Sequence, residues 1–68
     1  MAQQTTPDIT IQNEGSIIMF RPMNKNAKEW MNENIEEGAQ WFGGALAVEH
    51  RYATGLADGM RIHGFVLA

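Results

Sequence analysis

The sequence contains no cysteine, few basic residues and no long apolar run. The absence of cysteine excludes disulfides, thiol catalysis and zinc sites of the finger or ribbon type. Its five lysine and arginine residues are scattered and the formal net charge is −3, whereas nucleic-acid binding needs clustered basic residues. No apolar run approaches the roughly 20 residues that span a bilayer. We therefore expect a cytoplasmic protein that binds neither nucleic acid nor membrane.

The chain of 68 residues is long enough for one small domain. Hydrophobic residues make up 44% of it and charged residues 19%, a balance that is typical of folded globular proteins. Residues 1–8 are polar and lack the basic and apolar regions of a signal peptide. We expect residues 1–8 to be a disordered lead-in and residues 9–68 to form a single domain.

The first half of the chain has the pattern of a hairpin followed by a helix. Alternating apolar residues, the polar segment Asn13–Gly15 and a second apolar run over 16–20 predict two antiparallel strands. A helix with one apolar stripe follows. Its N-cap is either Asn24 or Asn26, and Gly38 is its natural stop.

The second half of the chain predicts a strand, a helix and a last short strand. Residues 39–44 are expected to be a loop, and the apolar run 45–48 a central strand whose alanines let a helix lie close. Apolar residues at helical spacing predict a helix over 51–62. The apolar segment 65–67 is expected to be the last strand.

The predicted fold is α+β, with two layers in the order β-β-α-β-α-β. Right-handed crossovers place both helices on one face of a sheet of three to four strands. Ile17, Ile18 and Met19 cannot all point toward those helices. One apolar sheet face is therefore left for a homodimer contact or another protein partner.

A run of residues that can make polar contacts follows the predicted central strand. The candidate partner-binding residues are Trp41, Glu49, His50, Arg51 and Tyr52. A polar site at the carboxyl end of a strand is one interpretation, because open α/β sheets bind ligands there. The structural alternative is that neighbours on a strand point to opposite faces, so the charged residues face solvent and the aromatic ones pack at the core edge.

No constellation in the sequence predicts catalysis or metal binding. His50 and His63 are the only histidines, and their spacing matches no zinc motif. The Gly43-Gly44 pair lacks the lysine and hydroxyl residue of a phosphate loop and indicates a turn. Ser16 has no histidine at a convincing position. We expect a protein that is not an enzyme and has no cofactor or metal site.

Several short motifs carry a resemblance to a family of short uncharacterised bacterial proteins that are often found in phage and mobile-element contexts. The resemblance extends over residues 15–65. The motifs are Phe20-Arg21-Pro22, Ala27-Lys28-Glu29-Trp30, Trp41-Phe42-Gly43-Gly44-Ala45 and Val48-Glu49-His50-Arg51-Tyr52, followed by Leu56 and Gly59-Met60. The resemblance implies an α+β domain, and it assigns no activity and no catalytic residue.

Taken together, these features predict a small non-enzymatic interaction protein of unknown partner, with a homodimer as one form of the interaction. The alternative is a phage- or plasmid-encoded inhibitor of a host enzyme such as a defence nuclease, which the resemblance and the acidic balance favour. A small-molecule or metal-dependent enzyme is a third hypothesis, and it would need a pocket that two-layer domains of this size seldom contain.

Overall fold

The computed structural model of the chain describes residues 6–34 and 39–68. It has an α+β fold in which a four-stranded antiparallel sheet, in the order β1-β2-β4-β3, packs with two helices. In chain order the elements are β1 (Ile9–Asn13), β2 (Ile17–Pro22), α1 (Lys25–Glu33), β3 (Ala39–Phe42), β4 (Ala45–Glu49) and α2 (His50–His63). The predicted α+β class is confirmed.

The hairpin between β1 and β2 forms where the sequence predicts it. The Asn13 side chain accepts a hydrogen bond of 2.8 Å from the Gly15 amide, and Gly15 has a φ of +92°. A positive φ carries no steric penalty at glycine, so the chain reverses there. Pro22 is the last residue of β2, as expected for a residue that has no N–H to give to a neighbouring strand.

The expectation of a loop over residues 39–44 is wrong, because Ala39–Phe42 forms β3 and pairs with β4. Gly43 and Gly44 have φ values of +50° and +88°. Two successive positive φ values make a tight hairpin turn whose twist matches the flanking strands. The double glycine is therefore the turn that the sequence indicates, but it joins two strands.

Both helices have identifiable ends. Asn24 is the N-cap of α1, and its Oδ1 accepts a hydrogen bond of 2.8 Å from the Ala27 amide, so the alternative cap at Asn26 is not used. Helix α1 ends at Glu33, and the stop predicted at Gly38 lies outside the described residues. Helix α2 begins and ends one residue beyond the predicted bounds, and Gly64, with a φ of +106°, caps it.

The core lies between the two helices and one face of the sheet, which confirms the two-layer arrangement. Strands β1, β2 and β4 and both helices contribute buried apolar side chains to it. Its buried members are Ile9, Ile18, Phe20, Ala27, Met31, Leu46, Val48, Ala53, Ala57 and Met60.

The expectation that the alanines of β4 let a helix lie close to the sheet is wrong. Leu46 and Val48 point into the helix-side core, so the alternation of the strand directs Ala45 and Ala47 to the opposite face. The close approach occurs instead at Gly59 of α2. A Cβ atom there would lie 3.7 Å from Cη2 of Trp30.

The two ends of the described chain meet beside β1. The strand predicted over 65–67 is reduced to a single parallel bridge between Ile9 and Leu67. The Asp8 amide donates a hydrogen bond of 2.8 Å to the carbonyl of Val66. Of the predicted lead-in, residues 1–5 lie outside the described residues, whereas Asp8 is bonded into the fold.

Candidate functional site

Strand β4 passes directly into helix α2 at the predicted polar run. Glu49 is both the last residue of β4 and the N-cap of α2, while His50, Arg51 and Tyr52 form the first turn of the helix. The prediction that these four residues form the end of a strand is therefore wrong. Successive helical residues are about 100° apart around the axis, whereas strand neighbours point to opposite faces. The helical turn allows some of these side chains to meet.

Three of the predicted residues come together, and we call Glu49, Arg51 and Tyr52 the helix-start cluster. Arg51 Nη2 lies 3.7 Å from Glu49 Oε2, and the Arg51 guanidinium carbon lies 4.8 Å from the centre of the Tyr52 ring. The Arg51 side chain is 72% exposed, so its ion pair contributes at most about 1 kcal/mol to stability. The cluster presents a carboxylate, a guanidinium and a phenol to solvent.

The other two predicted residues lie elsewhere. The His50 side chain lines a cleft of about 270 Å³ on the helix side of the sheet, together with Ile11 and Thr54. Trp41 is half-buried against the core and lies opposite Leu46 in the sheet register. Because Trp41 faces the helices and Glu49 does not, the structure does not bring Trp41 to the cluster.

The sheet face that points away from the helices carries a second group of apolar side chains, here called the open-face patch. Phe42 is 56% exposed, Ile17 and Met19 are half-buried, and the two alanines of β4 lie between them as a flat strip. The members of the patch are Ile17, Met19, Phe42, Ala45 and Ala47. None of them belongs to the helix-side core cluster of the described residues.

Phe42 is the functional candidate that the sequence analysis missed. The residues of β3 alternate between the two faces, with Ala39 and Trp41 packed on the core and Gln40 and Phe42 exposed. The available signal was the double glycine that follows Phe42, since a glycine pair between two short segments also indicates a hairpin.

A cleft of about 490 Å³ opens near the two chain ends and has an acidic lining. Asp8, Glu29 and Glu33 contribute carboxylates, and the described lining residues include no lysine or arginine. Glu29 also lies 3.9 Å from the exposed Lys25 amine. The aromatic rings in this region are those of Trp30, His63 and Phe65, whose centres are 4.8–5.8 Å apart.

Asp8 holds three parts of the chain together at the edge of this cleft. Its carboxylate accepts hydrogen bonds of 2.8 Å from the Val66 amide and from the Asn24 side chain. The Val66 bond, and after it the Asn24 bond, lowers the pKa of the Asp8 carboxyl below its ordinary value of 3.8, because both favour the charged form. Asp8 thus connects the β1 edge, the helix cap and the chain end.

Three kinds of feature are absent from the residues that the structure describes. Over residues 6–34 and 39–68 there is no group of three or more histidine, aspartate or glutamate side chains that could hold a metal ion. Every buried side chain in this part of the chain is apolar. Neither described helix has the length and apolar character needed to cross a membrane.

Comparison of the chain with protein-family models, with curated proteins and with solved structures finds no match.

Proposed function

We propose that this protein is a small non-enzymatic interaction domain that binds another protein chain through the open face of its sheet. The observation that carries the proposal is the open-face patch, in which the large apolar side chain of Phe42 remains 56% exposed. Exposed apolar groups that lie next to one another are characteristic of protein interaction sites. The partner would cover Phe42, Ile17 and Met19.

The shape of the patch also supports a protein as the partner. Ala45 and Ala47 of β4 are buried by their neighbours, with 0% and 7% exposure. Because their side chains are short, the centre of the face is flat and does not project from the sheet. Small-molecule sites are concave, whereas protein interfaces of standard size are broad. A flat apolar strip with larger side chains beside it suits a broad contact.

The helix-start cluster would supply polar contacts at one end of this surface. Glu49 lies opposite Ile17 in the sheet register, so its side chain shares the open face with the patch. Arginine and tyrosine are enriched among the residues that dominate binding energy at protein interfaces. The cluster therefore forms a polar rim next to an apolar centre, which is the usual anatomy of an interface.

Site-directed photo-cross-linking tests whether the open face docks a protein. The photoreactive analogue p-benzoylphenylalanine is placed at position 42, where it preserves the aromatic ring, and in a matched variant at position 62. Ile62 is 86% exposed on α2, away from the sheet, and serves as the control. We expect irradiation of the purified chain and of expressing cells to give a protein adduct from position 42 and none from position 62.

The adduct is identified by mass spectrometry, which separates a second copy of this chain from a different protein. Either adduct supports a docking function for the open face. The absence of any adduct at position 42, in cells and with the concentrated protein, would contradict the proposal.

The acidic cleft favours a second candidate function, which is inhibition of an enzyme with a basic surface, such as a nuclease. Three carboxylates at one cleft would be attracted to a basic substrate channel, and this attraction weakens as salt screens it. Neutralising Glu29 and Glu33 as glutamines should reduce inhibition, whereas Glu14→Gln on the β1–β2 hairpin should not. Inhibition that is unchanged by salt and by both substitutions would contradict this candidate.

A further inference from the structure

The open face of the sheet carries opposite charges at its two ends. Arg21 lies at the end of β2 near the β3–β4 turn, where a Cβ atom at Gly44 would be 3.9 Å from Arg21 Nη1. Glu49 lies at the other end, opposite Ile17. Arg21 is on the open face because its neighbour Phe20 on β2 points into the core. Glu49 is on the same face because its neighbour Val48 on β4 points into the core.

The two charges are placed symmetrically about the middle of the patch. Met19 is two residues from Arg21 and two from Ile17, which is about 6.6 Å of strand in each direction. Met19 lies opposite Ala47, which is likewise two residues from Glu49 on β4. The middle of the open face is therefore apolar on its two central strands, with Gln12 and Gln40 beside it on the outer strands. Arg21 and Glu49 are equidistant from this middle and opposite in charge.

A face with this pattern is complementary to itself. Consider a twofold axis that lies between two facing sheets, perpendicular to the strands and over Met19. It reverses the strand direction of the second copy, so the Arg21 end of one sheet lies over the Glu49 end of the other. Because the operation is twofold, the same contact forms twice.

We propose that the occupant of the open-face patch is a second copy of this chain, docked face to face about this axis with Arg21 of each copy beside Glu49 of the other. This inference rests on the proposed function, since it names the partner of that same surface. An axis parallel to the strands is disfavoured, because it would gather both Arg21 side chains at one end and both Glu49 side chains at the other.

The centre of the proposed interface fits the spacing of packed sheets. Facing sheets lie about 10 Å apart and their inner side chains interdigitate. The Met19 side chains of the two copies would meet at the axis, and the two β4 strands, with Ala47 opposite Met19 in the register, would face each other beside them. Glu49 can accept hydrogen bonds from two cations, so its exposed pair with Arg51 does not prevent a contact with Arg21.

Charge reversal at the two ends gives a specific test of this arrangement. The variants are Arg21→Glu and Glu49→Arg, and Lys28→Glu on α1 is the matched control for reversing one charge. Sedimentation equilibrium of each purified chain from about 1 µM to about 1 mM gives the dimer dissociation constant. We expect the wild type and the control to dimerise, and each reversal to weaken the dimer at least about tenfold, because like charges then meet twice.

An equimolar mixture of the two reversal variants provides the decisive result. In the mixed dimer each introduced charge faces its opposite, so both contacts are restored and the dissociation constant should return to near the wild-type value. A folded wild-type chain that stays monomeric throughout would overturn the inference. A dimer that neither reversal weakens, or that the mixture does not restore, would equally overturn it.

The failure of this inference is distinguishable from the failure of the proposed function. A monomeric chain whose position 42 cross-links to a different protein retains the docking function and loses only the second copy as its occupant. A monomeric chain that forms no adduct loses both.

Discussion

The contact between Gly59 of α2 and the Trp30 ring of α1 allows a quantitative prediction. Gly59 lies inside a regular helix, where alanine is more favourable than glycine by about 1 kcal/mol. A Cβ atom there would lie 3.7 Å from Cη2 and 3.9 Å from Cζ2 of Trp30, which is ordinary van der Waals contact. Gly59→Ala should therefore stabilise the fold without displacing the tryptophan.

The expected gain is the sum of two contributions. Helix propensity supplies about 1 kcal/mol, and partial burial of one methyl group against the ring adds about 0.4 kcal/mol, half the value of a fully buried methylene. Gly55→Ala is the matched control, because it lies one turn earlier and its Cβ would meet nothing within 4 Å. Gly55→Ala should therefore be stabilised only by the helix-propensity contribution of about 1 kcal/mol.

Thermal unfolding followed by circular dichroism measures both variants. For a domain of this size, 1 kcal/mol corresponds to a shift in Tm of about 4–8 °C. We expect both Tm values to rise, and that of Gly59→Ala to rise further. If Gly59→Ala lowers the Tm while Gly55→Ala raises it, the packing of α2 on Trp30 is tighter than described. If neither raises it, the helical conformation assigned to this turn is wrong.

Three further predictions concern the Asp8 contacts, the helix cap and the helix-start cluster. The pKa of the Asp8 carboxyl is lowered in the folded state, so its stabilising contribution is present above pH 3.8 and is lost as the pH falls through the folded pKa. In thermal unfolding from about pH 5 to about pH 2, the Tm of Asp8→Asn should therefore depend less on pH than that of the wild type. Asn24→Ala should cost about 1 kcal/mol in urea unfolding, because it removes the cap of α1, whereas Asn26→Ala should cost little. Replacing Arg51 and Tyr52 together with alanine should leave the Tm nearly unchanged and reduce the yield of the position-42 cross-link; an undiminished yield would exclude the cluster from the docking surface.

Local sequence signals were sufficient for most of the fold, because the elements concerned have clear periodicity or clear end signals. The hairpin at Asn13–Gly15 and the helix before Gly64 each depend on residues that are close in sequence. The sequence left Asn24 and Asn26 as alternative caps of α1, and the hydrogen bond from the Ala27 amide to Asn24 decides between them. Strand β3 was missed because its four residues contain two adjacent aromatics, and four residues are too few to show the alternation of apolar and polar side chains that indicates a strand. Its assignment depends on pairing with β4, which local propensity does not encode.

The candidate site could be predicted only in part, for a related reason. The sequence shows a polar run over residues 49–52, but whether Glu49, Arg51 and Tyr52 converge depends on where β4 ends and α2 begins. Trp41 was included because it is large and close in sequence, whereas the strand pleat turns it to the helix side. The acidic cleft joins residues as distant as Asp8 and Phe65, and no local pattern predicts such a meeting.

Solvent accessibility of the methionine methyl groups tests most directly whether a second copy covers the open face. In an NMR titration with a soluble paramagnetic probe, Met31 and Met60 are buried references at 1% and 0% exposure, and Met23, at 49%, is the exposed one. We predict that the Met19 methyl becomes as protected as the buried references when protein concentration rises, while Met23 stays broadened. A Met19 methyl that stays accessible at every concentration would contradict the account.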